Sequence, residues 1–162
     1  MGCVKKKIIW FDFDNSPHVP VLLPIANELR RRGYSIYLTA RDVAQAVDLL
    51  QQAGEDFKII DQAFPKGKVI KLYRTVKRAF KLSSCLQKVK PVCAVNHTSR
   101  SAILGAWLTC IPSVSMYDYE YVNSFFQNYF ATLVLMPEII KEQSLRRAKI
   151  RLSNLVQYPG LK

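Results

Sequence analysis

Acid is scarce in this sequence: 12 Asp plus Glu stand against 24 Lys plus Arg, a formal net charge of +12. That imbalance favours an anionic partner, whether nucleic acid, a phosphate-bearing substrate or an acidic lipid surface, without choosing among them. Long apolar runs are also missing. The runs are pieces such as Val21-Leu22-Leu23 and Leu133-Val134-Leu135-Met136, far short of the roughly 20 residues that a membrane-spanning helix needs. No secretory leader is expected, because the apolar stretch after Lys7 is brief and contains Asp12 and Asp14. An acylation signal is not expected at Met1-Gly2-Cys3 either, since Lys6 stands where that pattern wants Ser or Thr. The four cysteines, Cys3, Cys85, Cys93 and Cys110, show no CxxC spacing. They read as buried free thiols in a reducing cytoplasm rather than as zinc ligands. Neither GxGxxG nor GxxxxGK[ST] occurs, which excludes the usual dinucleotide clamp and the P-loop. Without a helix-turn-helix, RNP-like or zinc-finger pattern, nucleic acid is not the expected partner.

What is present is an alternation of short apolar runs and helical periods. With 162 residues, 49% of them hydrophobic, the chain suffices for one domain with its own core. Ile8-Ile9-Trp10-Phe11-Asp12-Phe13-Asp14 reads as a strand buried on both faces. A helix is expected over 19–32, apolar at Val21, Ile25 and Leu29 and ended by Gly33, and a strand over 34–39. Ala40-Arg41-Asp42 then leads into a helix reaching Gln52, followed by a strand over 57–60. A long helix over 69–89 carries Val69, Leu72, Val76, Phe80 and Leu86 at helical spacing. Strands over 92–96, 113–117, 131–136 and 155–157 alternate with helices starting near Thr98 or Ser99, Tyr121 and Pro137. Repeated βα units predict an α/β, Rossmann-like, doubly wound and mainly parallel sheet of six to seven strands.

In such sheets ligands bind beyond the carboxyl ends of the strands. Three polar clusters fall there: Asp12 to His18, Asn96 to Arg100, and Tyr117 to Glu120. Asp12 and Asp14 project to one side of a strand and allow two readings. They form the metal-binding pair of a magnesium-dependent, haloacid-dehalogenase-like phosphatase, or Asp12 bonds backbone amides while Asp14 caps the first helix. Asn15-Ser16-Pro17, where that phosphatase class continues with Gly-Thr, favours the second. His18, at the amino end of a helix, is placed to stay neutral and act as a base; a turn histidine is the plain alternative. His97 reads equally as a hydrogen-bonded turn residue. Thr98, Ser99 and Arg100 combine hydroxyls, helix amides and a cation, a fit for phosphate or carboxylate. Asp118 and Glu120, among tyrosines, suit sugar hydroxyls or cap the next helix. From Lys66 to Lys90 there are nine cations and no acid: a solvated face, or a surface for anionic lipid headgroups.

The turns Phe11-Asp12-Phe13-Asp14-Asn15-Ser16-Pro17-His18-Val19, Thr39-Ala40-Arg41-Asp42, His97-Thr98-Ser99-Arg100-Ser101 and Met116-Tyr117-Asp118-Tyr119-Glu120-Tyr121, with the closing Tyr158-Pro159-Gly160-Leu161-Lys162, resemble the predicted glycosyltransferases called domain of unknown function 354. Thr98 stands where the family pattern has glycine after the histidine. The resemblance implies a GT-B-like architecture, similar to sugar-nucleotide 2-epimerases and lipid-linked glycosyltransferases, with two Rossmann-like halves around a cleft. The expectation is then a single domain over 1–162, the amino-terminal, acceptor-side half, inactive without a donor-binding second domain or chain. It implies His18 as catalytic base and Asn15, Ser16, His97, Thr98, Ser99 and Arg100 as acceptor- or anion-binding residues. Asp118 and Glu120 orient hydroxyls, and neither a metal nor a cofactor is called for. The implied partners are a nucleotide-sugar donor, a phosphorylated or lipid-linked acceptor, and the inner membrane face as a peripheral surface. A basic, non-catalytic binding or scaffold subunit is the alternative from outside enzymology.

Overall fold

The computed structural model describes residues 6–62, 67–118 and 124–160. Its strands are β1 (Ile8–Phe13), β2 (Ser35–Asp42), β3 (Lys58–Gln62), β4 (Cys93–His97), β5 (Ser113–Met116), β6 (Leu133–Pro137) and β7 (Leu155–Tyr158). Between them run α1 (His18–Arg31), α2 (Ala46–Gln52), α3 (Lys68–Val89), α4 (Arg100–Leu108), α5 (Phe125–Phe130) and α6 (Glu142–Arg147). The seven strands form one sheet in the order β3-β2-β1-β4-β5-β6-β7, every neighbouring pair parallel. The order reverses between β1 and β4, so the loops after these two strands part to opposite sides and open a crevice.

β1 sits at the centre with both faces covered. Ile9, Phe11 and Phe13 pack with Val19, Leu22 and Ala26 of α1 and Leu50 of α2. Trp10 faces the other way, against Leu82 and Leu86 of α3 and Ala102 and Ala106 of α4. Strand alternation therefore decides which helix layer each side chain of β1 meets. A third cluster, Tyr117, Val134, Met136, Ile140, Leu145 and Ile150, closes the β6 end.

Four local expectations are corrected. β2 continues through Ala40-Arg41-Asp42, because β1 pairs with it as far as Phe13 opposite Ala40 and β3 as far as Gln62 opposite Asp42. Pro137 ends β6 rather than starting a helix, and Glu138 N–H bonds Tyr158 C=O at 2.9 Å, continuing the pairing before α6 begins at Glu142. The cysteines are less buried than expected: Cys85 and Cys93 are half-buried and Cys110 is exposed, while Cys3 lies outside the described residues.

The largest correction concerns α3. Of the face expected to be apolar and inward, only Leu86 is fully buried, while Val69, Leu72 and Phe80 are exposed. The inward face is Thr75, Arg78, Ala79, Leu82, Ser83 and Leu86. Where α3 comes closest to α4, at Ala79, the facing residue is glycine. A Cβ on Gly105 would come within 3.2 Å of both the Ala79 carbonyl oxygen and Leu82 Cβ. No helix among the described residues is long and apolar enough to cross a membrane.

Candidate active site

Asp12, near the end of β1, points to the α3 side and is fully buried. Four side-chain donors saturate its carboxylate. Thr39 Oγ1 and Arg78 Nη2 reach Oδ1 at 2.7 and 2.8 Å, while Arg78 Nη1 and Ser99 Oγ reach Oδ2 at 2.8 and 2.9 Å. Trp10 Nε1 in turn donates to Thr39 Oγ1 at 2.8 Å. Burial opposes the charge of Asp12, but Arg78 and the hydroxyl donors overcome it and hold the carboxyl below its usual range. Arg78 is equally enclosed. Its Nε donates to Ile60 C=O at 2.9 Å and its Nη1 to Ser101 Oγ at 2.7 Å. One guanidinium therefore joins β1, β3, α3 and the start of α4.

This arrangement revises both readings of the two aspartates. Asp12 has no oxygen left for nucleophilic attack, and its partners are side chains rather than backbone amides. Asp14 does not cap α1, whose N-cap is Pro17 without a side-chain bond. Instead Asp14 lies 3.0 Å from Arg41 Nε and 3.4 Å from Arg78 Nη1. Burial dominates and pushes its pKa up to about 6, against the opposing charges of Arg78 and Arg41. Because Arg78 is committed to Asp12, Asp14 receives only part of its field.

The carboxyl edge of β1 and β4 carries two polar groups on opposite sides of the strand tips. On the α1 side, the buried His18 and His97 rings lie 4.8 Å apart between centroids, tilted by 45°. His97 Nε2 meets Asp118 Oδ1 at 2.8 Å. Asp118 is partly open to solvent, with 44% of its side chain exposed. His18 is brought there because α1 starts at that residue, its first turn closed by His18 N–H to Asn15 C=O and Val19 N–H to Ser16 C=O, both at 3.1 Å.

On the α3 side lies a cavity of about 360 Å³ lined by Asp14, Arg41, Lys71, Thr75, Thr98 and Arg100, with Ser101 beside them. Arg41 is presented by the extended β2 and donates to Asp14 C=O at 3.0 Å. Lys71 and Thr75 come from the first turns of α3. Thr98 adopts a left-handed conformation, φ 55°, the glycine-like backbone of that turn held by a β-branched residue.

The site residues expected from sequence are thus distributed unevenly. His18, His97 and Asp118 form one group, and Thr98 and Arg100 share the cavity. Ser99 is turned inward: it caps α4 by accepting from Ala102 N–H at 3.3 Å, besides its bond to Asp12. Asn15 is exposed and bonds Ser16 N–H, and Ser16 Oγ accepts from Gln45 N–H at 2.9 Å. Glu120 lies outside the described residues. Sequence reasoning missed Arg78, Arg41, Lys71 and Thr75. For Arg78 the helical phase gave only a partial signal, since it lies on the side of Thr75 and Leu82 but shares that side with Lys71, seven residues earlier. Among the described residues no cluster of His, Cys, Asp and Glu has the make-up of a metal site.

An open parallel sheet with this strand order and crevice is a Rossmann-like domain of the kind that makes up GT-B proteins. The chain belongs to the family of proteins of unknown function DUF354, whose model matches residues 7–160. It is similar in structure to the UDP-GlcNAc 2-epimerase from Neisseria meningitidis bound to UDP-GlcNAc (TM-score 0.70, 16% identity, covering 93% of this chain and 46% of that one). MurG from Acinetobacter baumannii superposes with TM-score 0.66 at 17% identity, over 82% of this chain and 41% of its own. A glycosyltransferase from Rickettsia africae gives TM-score 0.68 at 15% identity, over 94% and 42%. The chain spans less than half the length of each of these proteins. At these identities the likeness is one of fold. A sequence search of curated proteins finds no match.

Proposed function

We propose that this chain is the acceptor-side half of a sugar-transferring enzyme of GT-B architecture, whose nucleotide-sugar donor is held by a second domain or chain. The observation that carries the reading is the His18, His97, Asp118 group at the strand-order reversal, where open α/β sheets take their ligands. An imidazole at a helix start accepts a proton from an acceptor hydroxyl as that oxygen attacks the sugar. His97, fixed by Asp118, packs against the His18 ring and sets its orientation. The structurally similar proteins include one bound to UDP-GlcNAc, which supports a nucleotide sugar as the donor. Transfer requires both substrates to be positioned at once, so the half is inactive alone.

The test is nucleotide-sugar turnover by the chain and by a fusion to the carboxy-terminal half of a longer family member. The expected result is no turnover alone, turnover by the fusion, and a fall of about 10²–10⁴ in His18→Ala, the usual contribution of a general base. Turnover indifferent to His18→Ala overturns the assignment.

A peripheral membrane location rests on a separate observation, the outer face of α3. Val69, Leu72, Tyr73 and Phe80 are exposed there, on a helix that also carries Lys77, Lys81 and Lys88 at its surface. Lys81 pairs with Asp61 at 3.5 Å, while the helix itself carries no acid. Apolar side chains flanked by lysines in this way suit an anionic lipid surface, and such a surface is where a lipid-linked acceptor resides.

A further inference from the structure

The α3-side cavity holds three cations, Arg41, Lys71 and Arg100, and one acid, Asp14. Asp14 is shared between Arg41 at 3.0 Å and Arg78 at 3.4 Å. Among the described residues, Lys71 and Arg100 form no ion pair with any acid. Two positive side chains from different helices thus face one space whose single lining acid, Asp14, is already paired with Arg41 and Arg78, an arrangement that an incoming anion relieves. Ser101 is engaged within the protein: its Oγ accepts from Arg78, and its own hydrogen faces Ser99 Oγ at 3.5 Å, since Ser99 gives its hydrogen to Asp12. Thr98 keeps its hydroxyl-bearing side chain in the cavity wall although its backbone is in the left-handed region. A strained residue that lines a cavity marks a place where position matters more than local stability. The first turn of α4, from Arg100, brings the positive end of a helix to the same spot.

From these observations we infer that the α3-side cavity binds the phosphate of a phosphorylated ligand, as monoester or diphosphate, through Lys71 and Arg100 with Arg41 as the third cation. The inference rests on the reading above only in taking that ligand to be the acceptor. The cavity and the His18 group lie on opposite sides of the strand tips. The phosphate and the hydroxyl that His18 deprotonates are therefore separate parts of one molecule lying across the edge of the sheet. Two separated cations match a dianion better than a carboxylate, which carries a single charge.

The experiment is titration of the purified chain with inorganic phosphate, inorganic pyrophosphate and acetate, followed by calorimetry and by amide chemical shifts. Phosphate and pyrophosphate are expected to bind, shifting amides in 71–75 and 98–101, and acetate to bind at least tenfold more weakly. Lys71→Gln and Arg100→Gln each weaken pyrophosphate binding tenfold or more. Lys88→Gln, which removes the same charge farther along α3, leaves it within twofold. Equal affinity for acetate, equal loss in Lys88→Gln, or full binding by the Lys71→Gln, Arg100→Gln double variant each overturns the site. Because no sugar donor enters this test, a positive result beside a fusion that fails to transfer sugar sinks the enzymatic reading and leaves the phosphate site standing.

Discussion

Arg78 holds Asp12 in a two-pronged ion pair, Nη1 to Oδ2 and Nη2 to Oδ1, both at 2.8 Å and both residues without solvent exposure. A buried pair of this kind stabilises little relative to apolar residues of the same shape, yet breaking it leaves a charge stranded in the interior. Its role is to fix α3 and α4 relative to β1, directly beneath the cavity that Asp14 lines.

Removing one partner should therefore cost far more than removing both. Arg78→Met is expected to destabilise the fold by about 3–5 kcal/mol. Asp12→Asn combined with Arg78→Met should recover a large part of that loss. Urea unfolding of the two variants measures the difference; a double variant no more stable than Arg78→Met would mean that the pair contributes through packing rather than charge.

Thr98 supplies a gain rather than a loss. A left-handed backbone costs an ordinary residue about 1–2 kcal/mol, from which the extra unfolded-state freedom of glycine subtracts roughly 0.5–1. Thr98→Gly should stabilise the chain by about 0.5–1 kcal/mol and weaken phosphate binding where the hydroxyl contributes. A fall in melting temperature would show that the Thr98 side-chain contacts outweigh the strain.

Asp14 makes stability depend on pH in a direction opposite to that of an ordinary ion-paired carboxylate. Its pKa is raised from 3.8 to about 6, so between those values the folded state binds more protons than the unfolded one. Its contribution is present below about pH 4 and is lost as the pH rises through about 6. Asp14→Asn should gain on the parent by roughly 1–3 kcal/mol between pH 4 and pH 8. Denaturation curves at the two pH values check this, and a gap that narrows with rising pH would reverse the sign assigned to Asp14.

The outer face of α3 should bind acidic vesicles more strongly than neutral ones, and less so as salt is raised. Leu72→Ser with Phe80→Ser should weaken that attachment without unfolding the chain, because both side chains are already exposed. Sedimentation that does not distinguish acidic from neutral vesicles would remove the membrane from the account.

Much of the architecture could be read from residue patterns because it follows from local rules. The apolar runs of β1, β4 and β6 and the helix stop at Gly33 each depend on a few neighbouring residues. The strand end that delivers His18, and the cap at Ser99, were legible for the same reason. What escaped depends on partners distant in the chain. Arg78 lies 66 residues from Asp12, and in a run of nine cations its helical phase, shared with Lys71, does not single it out. Arg41 reaches the cavity because β3 and β1 hold β2 extended past Thr39, a pairing no window around Arg41 reveals. The apolar residues of α3 misled for a physical reason: the inward face is set by the Arg78 ion pair with Asp12 and by the close approach of Ala79 to Gly105, and it leaves Val69, Leu72 and Phe80 outside.

Gly105 has a bearing on how the cavity can adapt. Where a Cβ would sit only 3.2 Å from the Ala79 carbonyl oxygen, α3 and α4 have no slack between them. Two of the cavity walls, Lys71 with Thr75 and Arg100 with Ser101, therefore behave as one body. Swinging one helix from the other would open a gap at Ala79 and pull Arg78 from Ser101. A larger or smaller ligand must then be met by the long side chains of Lys71 and Arg100, which reorient in nanoseconds, and by Arg41 across the opening, while the floor stays still.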